Sequence, residues 1–438
     1  MTLYVIGFVL LFLLVLFSGL PVGFGLGVLA IGLLTTIAGP EMALSIGIEK
    51  AYASLDTDVL VAIPLFVLAA QLISATGMGK RLFDAAKSFT GGYRSGLGVA
   101  TIASSGVFSA MTGSSFVSAS TMGLIAIPEL RKAKYSDTMI AAAITAGGSL
   151  GSVIPPSLVM IIYGFLTDES IGRLFMAGMI PGIMLMVFYS IALAVLTRKT
   201  DAEKNSDMIL PVEDVEPIEV MSKKTALKEA FWGLMAPVII LGGIYLGIFT
   251  ANEAAAVAVI YCIGIGFVVY RTLTLKSLWE VVMSATTVSA MIALVVIGGG
   301  MLAQGAIFGR VPQKILELII LKDLSPNLLL FLVIVFLFVL GMFMESVSLM
   351  YLAIPLLHPV VVHVGWDNVW FGVILLINVN LGLITPPMGG VLYIVSQIGA
   401  IPFNKVVKGA LMPIAVLLLV MFLMILYPPI ATWLPSLM

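Results

Sequence analysis

The chain has 438 residues, 61% of them hydrophobic and 10% charged, with a mean hydropathy of +1.16. That apolar share exceeds the roughly 45–50% of soluble domains and leaves no room for a sizeable soluble core, so the sequence reads as an all-α polytopic membrane protein. A net charge of −1 argues against nucleic acid, the single cysteine Cys262 excludes an internal disulfide, and two histidines, His358 and His363, are too few for a structural zinc site.

Apolar segments near 3–20, 22–38, 59–76, 138–165, 174–197, 231–249, 254–270, 282–308, 368–396 and 409–430 predict about ten membrane-spanning helices. The first reads as a retained helix, because more membrane segments follow it and no small-residue cleavage pattern stands out. Segments 97–128 and 327–362 behave differently. Each is too long for one span and has a polar or glycine-rich middle, "SAMTGSSFVSAS" in the first and "GMFMESVS" in the second. Read as re-entrant hairpins, the first opening inward and the second outward, they make the loops alternate consistently. Lys50, Arg173, Arg310, Lys314 and Lys322 then face outward and 17 of the 22 Lys and Arg face the cytoplasm, in accord with the positive-inside rule.

The expected organisation has five parts. Residues 1–58 form first scaffold helices, and 59–200 a first transport part containing hairpin 97–128. Residues 201–230, rich in charge and proline, form a solvated cytoplasmic linker. Second scaffold helices at 231–281 precede a second transport part at 282–438 containing hairpin 327–362. Asn252 and Glu253 read as a helix start, and the five tryptophans with Tyr427 as interfacial anchors.

Shifting the chain by 227 to 232 residues aligns "LGSVIPPS" (150–157) with "LGLITPPM" (381–388), "AIP" at 126–128 with "AIP" at 353–355, and "AGMIP" (177–181) with "GALMP" (409–413). Five crossings and one hairpin per half make the second half insert upside down. That is the plan of secondary transporters with inverted repeats, whose sites form near the midplane at broken helices. Proline removes a backbone donor and clashes with the preceding turn. Interrupted backbone at membrane depth persists only where protein, ions or water satisfy it, so two matching double-proline breaks predict something to coordinate.

The chain resembles the large membrane subunit, DctM-like, of the tripartite ATP-independent periplasmic (TRAP) transporters. The matching pieces are "IPLFVLAAQLISATG" (63–77), "MTGSSFVSASTMG" with "AIPEL" (111–130), "GSLGSVIPPSLVMIIYG" (148–164), "LFMAGMIPG" (174–182), "GIFTANEAAAVAV" (247–259), "GMFMESVSLM" (341–350) and "VNLGLITPPMG" (379–389). The resemblance implies a sodium-driven, elevator-type importer in the bacterial inner membrane, with Na+ as coupling ion and no other cofactor. It also implies a small four-helix DctQ-like membrane subunit and a periplasmic substrate-binding protein that delivers an organic acid such as a dicarboxylate or sialic acid.

Sodium prefers hard oxygens, which the breaks and hairpin tips supply. An inner cluster would join Ser104, Ser105, Gly113, Ser114 and Ser115 to Gly148, Ser149, Ser152 and Pro155. An outer cluster would join Glu345, Ser346 and Ser348 to Asn380, Gly382, Thr385 and Pro386. Ser115, Ser118, Ser346 and Thr385 are the expected substrate contacts. Neither tip carries Arg or Lys, so half-helix N-termini would meet the anion instead. The bland alternative for any one of these hydroxyls is a bond to a carbonyl one turn back. A carboxylate at membrane depth such as Glu345 is a functional candidate, as ion ligand or proton carrier, or else a helix cap.

Three other function classes compete: a stand-alone sodium-coupled carboxylate symporter, a membrane enzyme and a channel. The predicted spans hold no histidine or lysine for an H-E-x-x-H pair or a Ser/Lys dyad, and no glycine-lysine phosphate loop occurs, so enzyme activity is not expected.

Overall fold

The computed structural model describes residues 20–57, 59–90, 94–207 and 221–438. Among these residues every regular element is a helix, and seven helices are long and apolar enough to cross a membrane, or eight when one bent pair is taken as a single span. The predicted first span, 3–20, lies outside the described residues except for Leu20.

Helix α1 (Val22–Ala38) follows Pro21 and stops at Gly39, whose φ of 84° is open to glycine at little cost. Pro40 then occupies the first position of α2 (Pro40–Leu55), where its missing N–H costs nothing. The sequence reading placed no element at 40–55, because Glu41, Glu49 and Lys50 break up its apolar pattern. Helix α2 bends by 56° into the next helix, α3 (Val59–Ala75).

Helix α4 (Met78–Thr90) is amphipathic, burying Met78, Leu82 and Phe83, and it too was unpredicted, being too short and too charged to read as a span. The first hairpin follows as α5 (Arg94–Thr112) and α6 (Ser115–Lys132). The predicted span 138–165 is two pieces, α7 (Asp137–Val153) and α8 (Leu158–Thr167). Helix α9 (Ile171–Asp207) runs on past residue 200, into the stretch read as linker. Residues 208–220 of that stretch lie outside the described residues.

The second half begins with α10 (Lys223–Tyr245) and α11 (Ala251–Gly264), the latter started by a capping box in which Thr250 and Glu253 bond each other's backbone. Helix α12 (Leu275–Phe308) is one unbroken rod of 34 residues, and the short α13 (Val311–Leu321) follows it. The second hairpin is α14 (Pro326–Gly341) with α15 (Ser346–Val364), and the second broken helix is α16 (Asn368–Leu383) with α17 (Gly390–Gly399). Helix α18 (Phe403–Leu426) completes the bundle.

The two halves repeat the same order of elements. The hairpin caps Ser114 and Glu345 stand 231 residues apart, as do Pro155 and Pro386 at the breaks. At this register Pro128 in α6 faces Pro359 in α15, not the Pro355 of the second "AIP". The tripeptide match was therefore one turn out. The bent pair α2 and α3 corresponds to the single continuous helix α12.

Both broken helices lie in the centre. Residues Met139 to Val153 of α7 and Val369 to Leu383 of α16 are all buried. In α7 this is possible because Ala141, Ala142, Ala143, Gly147, Gly148 and Gly151 let neighbouring backbones come close, the packing that helices use where lipid supplies no hydrophobic drive. Basic residues gather at one end: Lys87 pairs with Glu129 at 2.7 Å, Lys405 with Asp137 at 2.7 Å, and Arg131 bonds the Gly399 carbonyl. The last two contacts tie one half to the other. Of the five tryptophans, Trp232, Trp279 and Trp433 are exposed, whereas Trp370 is buried and donates its ring N–H to the Met424 carbonyl at 3.0 Å.

Candidate functional site

Each break arises where proline ends one helix and the chain must restart another. Helix α7 makes its last bond from Ile154 N–H to Leu150, then meets Pro155 and Pro156, which have no N–H to offer. The first N–H of α8, on Leu158, turns to the carbonyl of Gly113 at the hairpin tip, 3.4 Å away. In the second half, Ile384 N–H still bonds Asn380 at 3.3 Å and Thr385 N–H bonds Gly382 at 3.1 Å before Pro386 and Pro387 interrupt the helix. The Pro155–Pro156 and Pro386–Pro387 peptides are both cis.

Each hairpin tip presses on the break of its own half, backbone against backbone. A methyl group on Gly151 would drive into the Ser114 carbonyl, and one on Gly382 would come within 2.6 Å of the Gly341 carbonyl oxygen. These two glycines occupy equivalent places in the halves, and a side chain at either would separate the tip from the break.

A buried polar network spans the two halves. Ser115 and Ser152 share a hydrogen bond of 2.9 Å, and the Ser115 hydroxyl donates to the Asn380 side-chain oxygen at 3.3 Å. The Asn380 Nδ2, the Asn378 Oδ1 and the Ser348 hydroxyl are buried without a partner among the described residues, and the Asn378 Nδ2 bonds the Ile334 carbonyl at 2.9 Å. Buried polar atoms are nearly always satisfied, so a group of orphans beside two helix breaks marks a place for a polar ligand.

The two tips are capped differently. Ser114 accepts the Val117 N–H at 3.4 Å through a neutral hydroxyl, whereas Glu345 accepts the Val347 N–H at 3.1 Å through a carboxylate oxygen. Glu345 therefore points back at the start of its own helix, where the carboxylate, when ionised, would offset the positive end of the α15 dipole. The start of α6 keeps its positive end uncancelled.

Between the tips lies a cavity of about 500 Å³, closed on the far side by the Pro21–Gly23 entry to α1, by α3 and by residues 288–295 of α12. Ser114, Ser115, Ser152, Glu345, Ser346 and Ser348 line it, and among the described residues Glu345 is its only ionisable side chain. Gly113 also reaches it.

The other named residues stand behind this wall. Ser104 and Ser105 donate to Ala100 and Thr101 one turn back, Ser149 to Ala146 and also shares a bond with Tyr189, and Thr385 donates to Leu381 at 2.6 Å. Their protons are spent locally and their oxygen lone pairs remain. Ser118 belongs to a separate cluster with Ser109 and Thr112. Gly148 packs on Ala119, Gly382 on Gly341, and Pro155 and Pro386 supply the breaks without lining the cavity.

Sequence reading missed Asn378, Gln71 and Ser120. Asn378 stands two residues before Asn380 in "NVN", while Gln71 and Ser120 line the cavity. A lone amide in the apolar run "LAAQLISA" was the available signal for Gln71. No group of three or more His, Cys, Asp or Glu side chains suited to a metal occurs among the described residues. Any cation here would be held by hydroxyls, carboxamides, main-chain carbonyls and Glu345, a donor set fitting a hard monovalent ion.

Residues 8–430 match the family described as "Tripartite ATP-independent periplasmic transporter, DctM component". The chain is 36% identical over 422 residues to the sialic acid TRAP transporter large permease protein SiaM of Vibrio cholerae, covering 96% of each chain. It is 30% identical to the C4-dicarboxylate TRAP transporter large permease protein DctM of Pseudomonas aeruginosa, covering 91% of this chain and 90% of that one. The crystal structure of the YdaH transporter of Alcanivorax borkumensis superposes with a TM-score of 0.64 over 91% of both chains at 12% sequence identity, a likeness of fold alone.

Proposed function

We propose, from the premise that this chain belongs to the DctM component family of the tripartite ATP-independent periplasmic transporters, that it carries an organic acid inward in exchange for the energy of a sodium gradient. It is the large, multi-pass permease of such a system, and its substrate reaches it from a periplasmic binding protein. The relatives named for sialic acid and for C4-dicarboxylates both handle carboxylates, and a carboxylate is the cargo assigned here.

The observation that carries this reading is the cavity between the two hairpin tips, bounded by Ser115 at one helix start and Ser346 at the other. Helix N-termini bind carboxylates through free N–H groups and the positive end of the dipole. The α6 start is the stronger of the two, because Glu345 offsets the other. A sodium ion near Glu345, Asn380 and the neighbouring carbonyls would remove the repulsion between Glu345 and the cargo, so that ion and acid bind together and leave together. A fixed lysine in the same place would have to make the return journey charged. Each tenfold sodium gradient supplies about 1.4 kcal/mol per ion, and each net positive charge moved inward about 2.3 kcal/mol per 100 mV, so no nucleotide is needed.

Helices α1, α2, α10 and α11 form a scaffold, and the hairpins with the broken helices move against it as one elevator body. The cross-half contacts of Arg131 and Lys405 support motion as a unit. The protein works in the bacterial inner membrane with a small four-helix DctQ-like subunit. Uptake of labelled acid into vesicles containing this chain, its small subunit and its binding protein tests the whole reading. Uptake is expected only with sodium outside and the binding protein present. Full uptake without the binding protein would instead establish the stand-alone symporter, and full uptake without sodium would end the coupling proposal.

A further inference from the structure

A second cavity, of about 370 Å³, lies along the same two helices as the first. Residues 288–295 of α12 line the first cavity and residues from Gly300 to Ile307 the second; on α15, Ser346 to Ser348 face the first and Tyr351 to Pro359 the second. About one helical turn, roughly 5–8 Å along the helices, thus separates them. At that turn Tyr351 packs on Gly299, where a methyl group would collide with the tyrosine Cβ.

The second cavity has the opposite chemistry from the first. Lys50 of α2 lines it and forms no ion pair among the described residues, and around it stand Gln304, Gln313, Tyr351 and His358. Tyr351 is 2% exposed and its hydroxyl has no hydrogen-bond partner among the described residues, and His358 Nε2 is likewise buried and unpartnered there. Among the described residues the lining contains no Asp or Glu. The first turn of α13, through Pro312 and Gln313, adds the positive end of a helix dipole.

The repeat does not account for these groups. At the 231-residue register the counterparts of Gln304, Gln313, Tyr351 and His358 are Ile73, Leu82, Ser120 and Ile127, and Val281 corresponds to Lys50. The first half contributes the cation and the second the polar side chains, and the equivalent position in the other half is aliphatic for every one of them but Tyr351. Buried polar groups without partners cost roughly 1–3 kcal/mol each, so a family of them around a lysine points to a ligand that pairs them.

We propose that this second cavity is a staging site for a small organic anion, in which Lys50 meets the carboxylate and Gln304, Tyr351 and His358 bond its polar groups before the anion passes Tyr351 into the inter-hairpin cavity. This deepens the reading of the chain as an organic acid carrier and rests on it. The division of labour is physical: the fixed cation sits on α2, in the scaffold, and the site that moves has none. The acid is attracted by a charge that never has to travel with it.

The test uses the full chain in sodium-free vesicles of phosphatidylcholine, which bear no anionic lipid. With the buried Cys262 replaced by Ala and Gln313→Cys introduced at the rim, the labelling rates of the anionic methanethiosulfonate ethylsulfonate and its cationic trimethylammonium analogue are compared. The anionic reagent is expected to lead several-fold relative to free cysteine. Lys50→Met should abolish that lead and Lys50→Arg should keep it. Millimolar succinate should slow the labelling. Gln304→Leu, which preserves every charge, should weaken this protection while leaving the rate ratio intact, so the outcome does not hang on one variant folding. A free-cysteine rate ratio, a ratio indifferent to Lys50→Met, or labelling unaffected by succinate overturns the site. Because the assay has no sodium and no transport step, uptake that proved independent of sodium would end the coupling proposal and leave this site standing.

Discussion

The Ser115 hydroxyl donates to the side-chain oxygen of Asn380 at 3.3 Å, joining the start of a hairpin arm in the first half to the central broken helix of the second, 265 residues away. Ser115 also holds Ser152 at the first break, so one hydroxyl touches the tip, its own break and the opposite half. A ligand that engages Ser115 is therefore felt at both breaks at once.

Removal of this link has a defined cost. Asn380→Ala leaves Ser115 with Ser152 but one partner fewer, a loss of roughly 0.5–1.5 kcal/mol, or up to about tenfold in an equilibrium. The sodium concentration for half-maximal uptake in vesicles is expected to rise by about that factor. A sodium titration that superimposes on wild type would remove Asn380 from the ion site.

Glu345 is separable into cap and charge. In Glu345→Gln the amide oxygen can still accept the Val347 N–H, so the hairpin tip stays folded. What changes is the charge beside the cavity, and the number of ions moved per acid is expected to fall. Reversal-potential measurements on vesicles read that number directly, and an unchanged value would leave Glu345 as a cap alone.

Backbone contact at the breaks makes Gly151→Ala and Gly382→Ala disruptive. Overpacking costs about 1–3 kcal/mol or more, and here the obstructing atoms are main chain and cannot rotate away. Both variants should melt earlier in detergent and lose most uptake. Gly242→Ala is the control: nothing lies within 4 Å of its added methyl, and alanine is the better helix former by up to about 1 kcal/mol. Equal melting of all three would show that the tips do not press on the breaks.

At the basic end, the hydrogen bond from Lys87 holds the Glu129 carboxyl below its ordinary range. A depressed carboxyl stabilises the fold fully above the unfolded carboxylate pKa, near 4.3, and loses that contribution as pH falls through its folded value. The pair is partly solvated, so the effect is under about 1 kcal/mol. The melting temperature of Lys87→Met should lie slightly below wild type at neutral pH and converge with it on acidification; a gap that persisted in acid would assign the stabilisation to packing of the lysine stem.

The parts of this structure that could be read from sequence are those where composition conflicts with a uniform apolar helix. Double prolines in membrane-length runs announced both breaks, and the serines and glycine of "SAMTGSSFVSAS" announced a hairpin tip. Helices α2, α4 and α13 were illegible for the converse reason: short and partly charged, they carry neither a span's length nor an unbroken apolar pattern. Within the site, proline and serine were visible as types, but which hydroxyl faces the cavity was not. Ser114 and Ser115 line it while Ser104, Ser105 and Ser149 lie behind it, and only the packing of α5 and α7 decides between them. The alignment of the two "AIP" tripeptides went astray because α15 carries prolines at both 355 and 359, and a three-letter match cannot tell which is the repeat mate.

The contrast between the elbow of α2 with α3 and the continuous helix α12 bears on thermodynamics at rest. Two perfectly mirrored halves would give the empty carrier two facing states of equal free energy, populated alike on either side of the bilayer. Under the proposed elevator motion, an elbow opposite a continuous helix breaks that degeneracy, so the unloaded carrier is expected to favour one side of the bilayer.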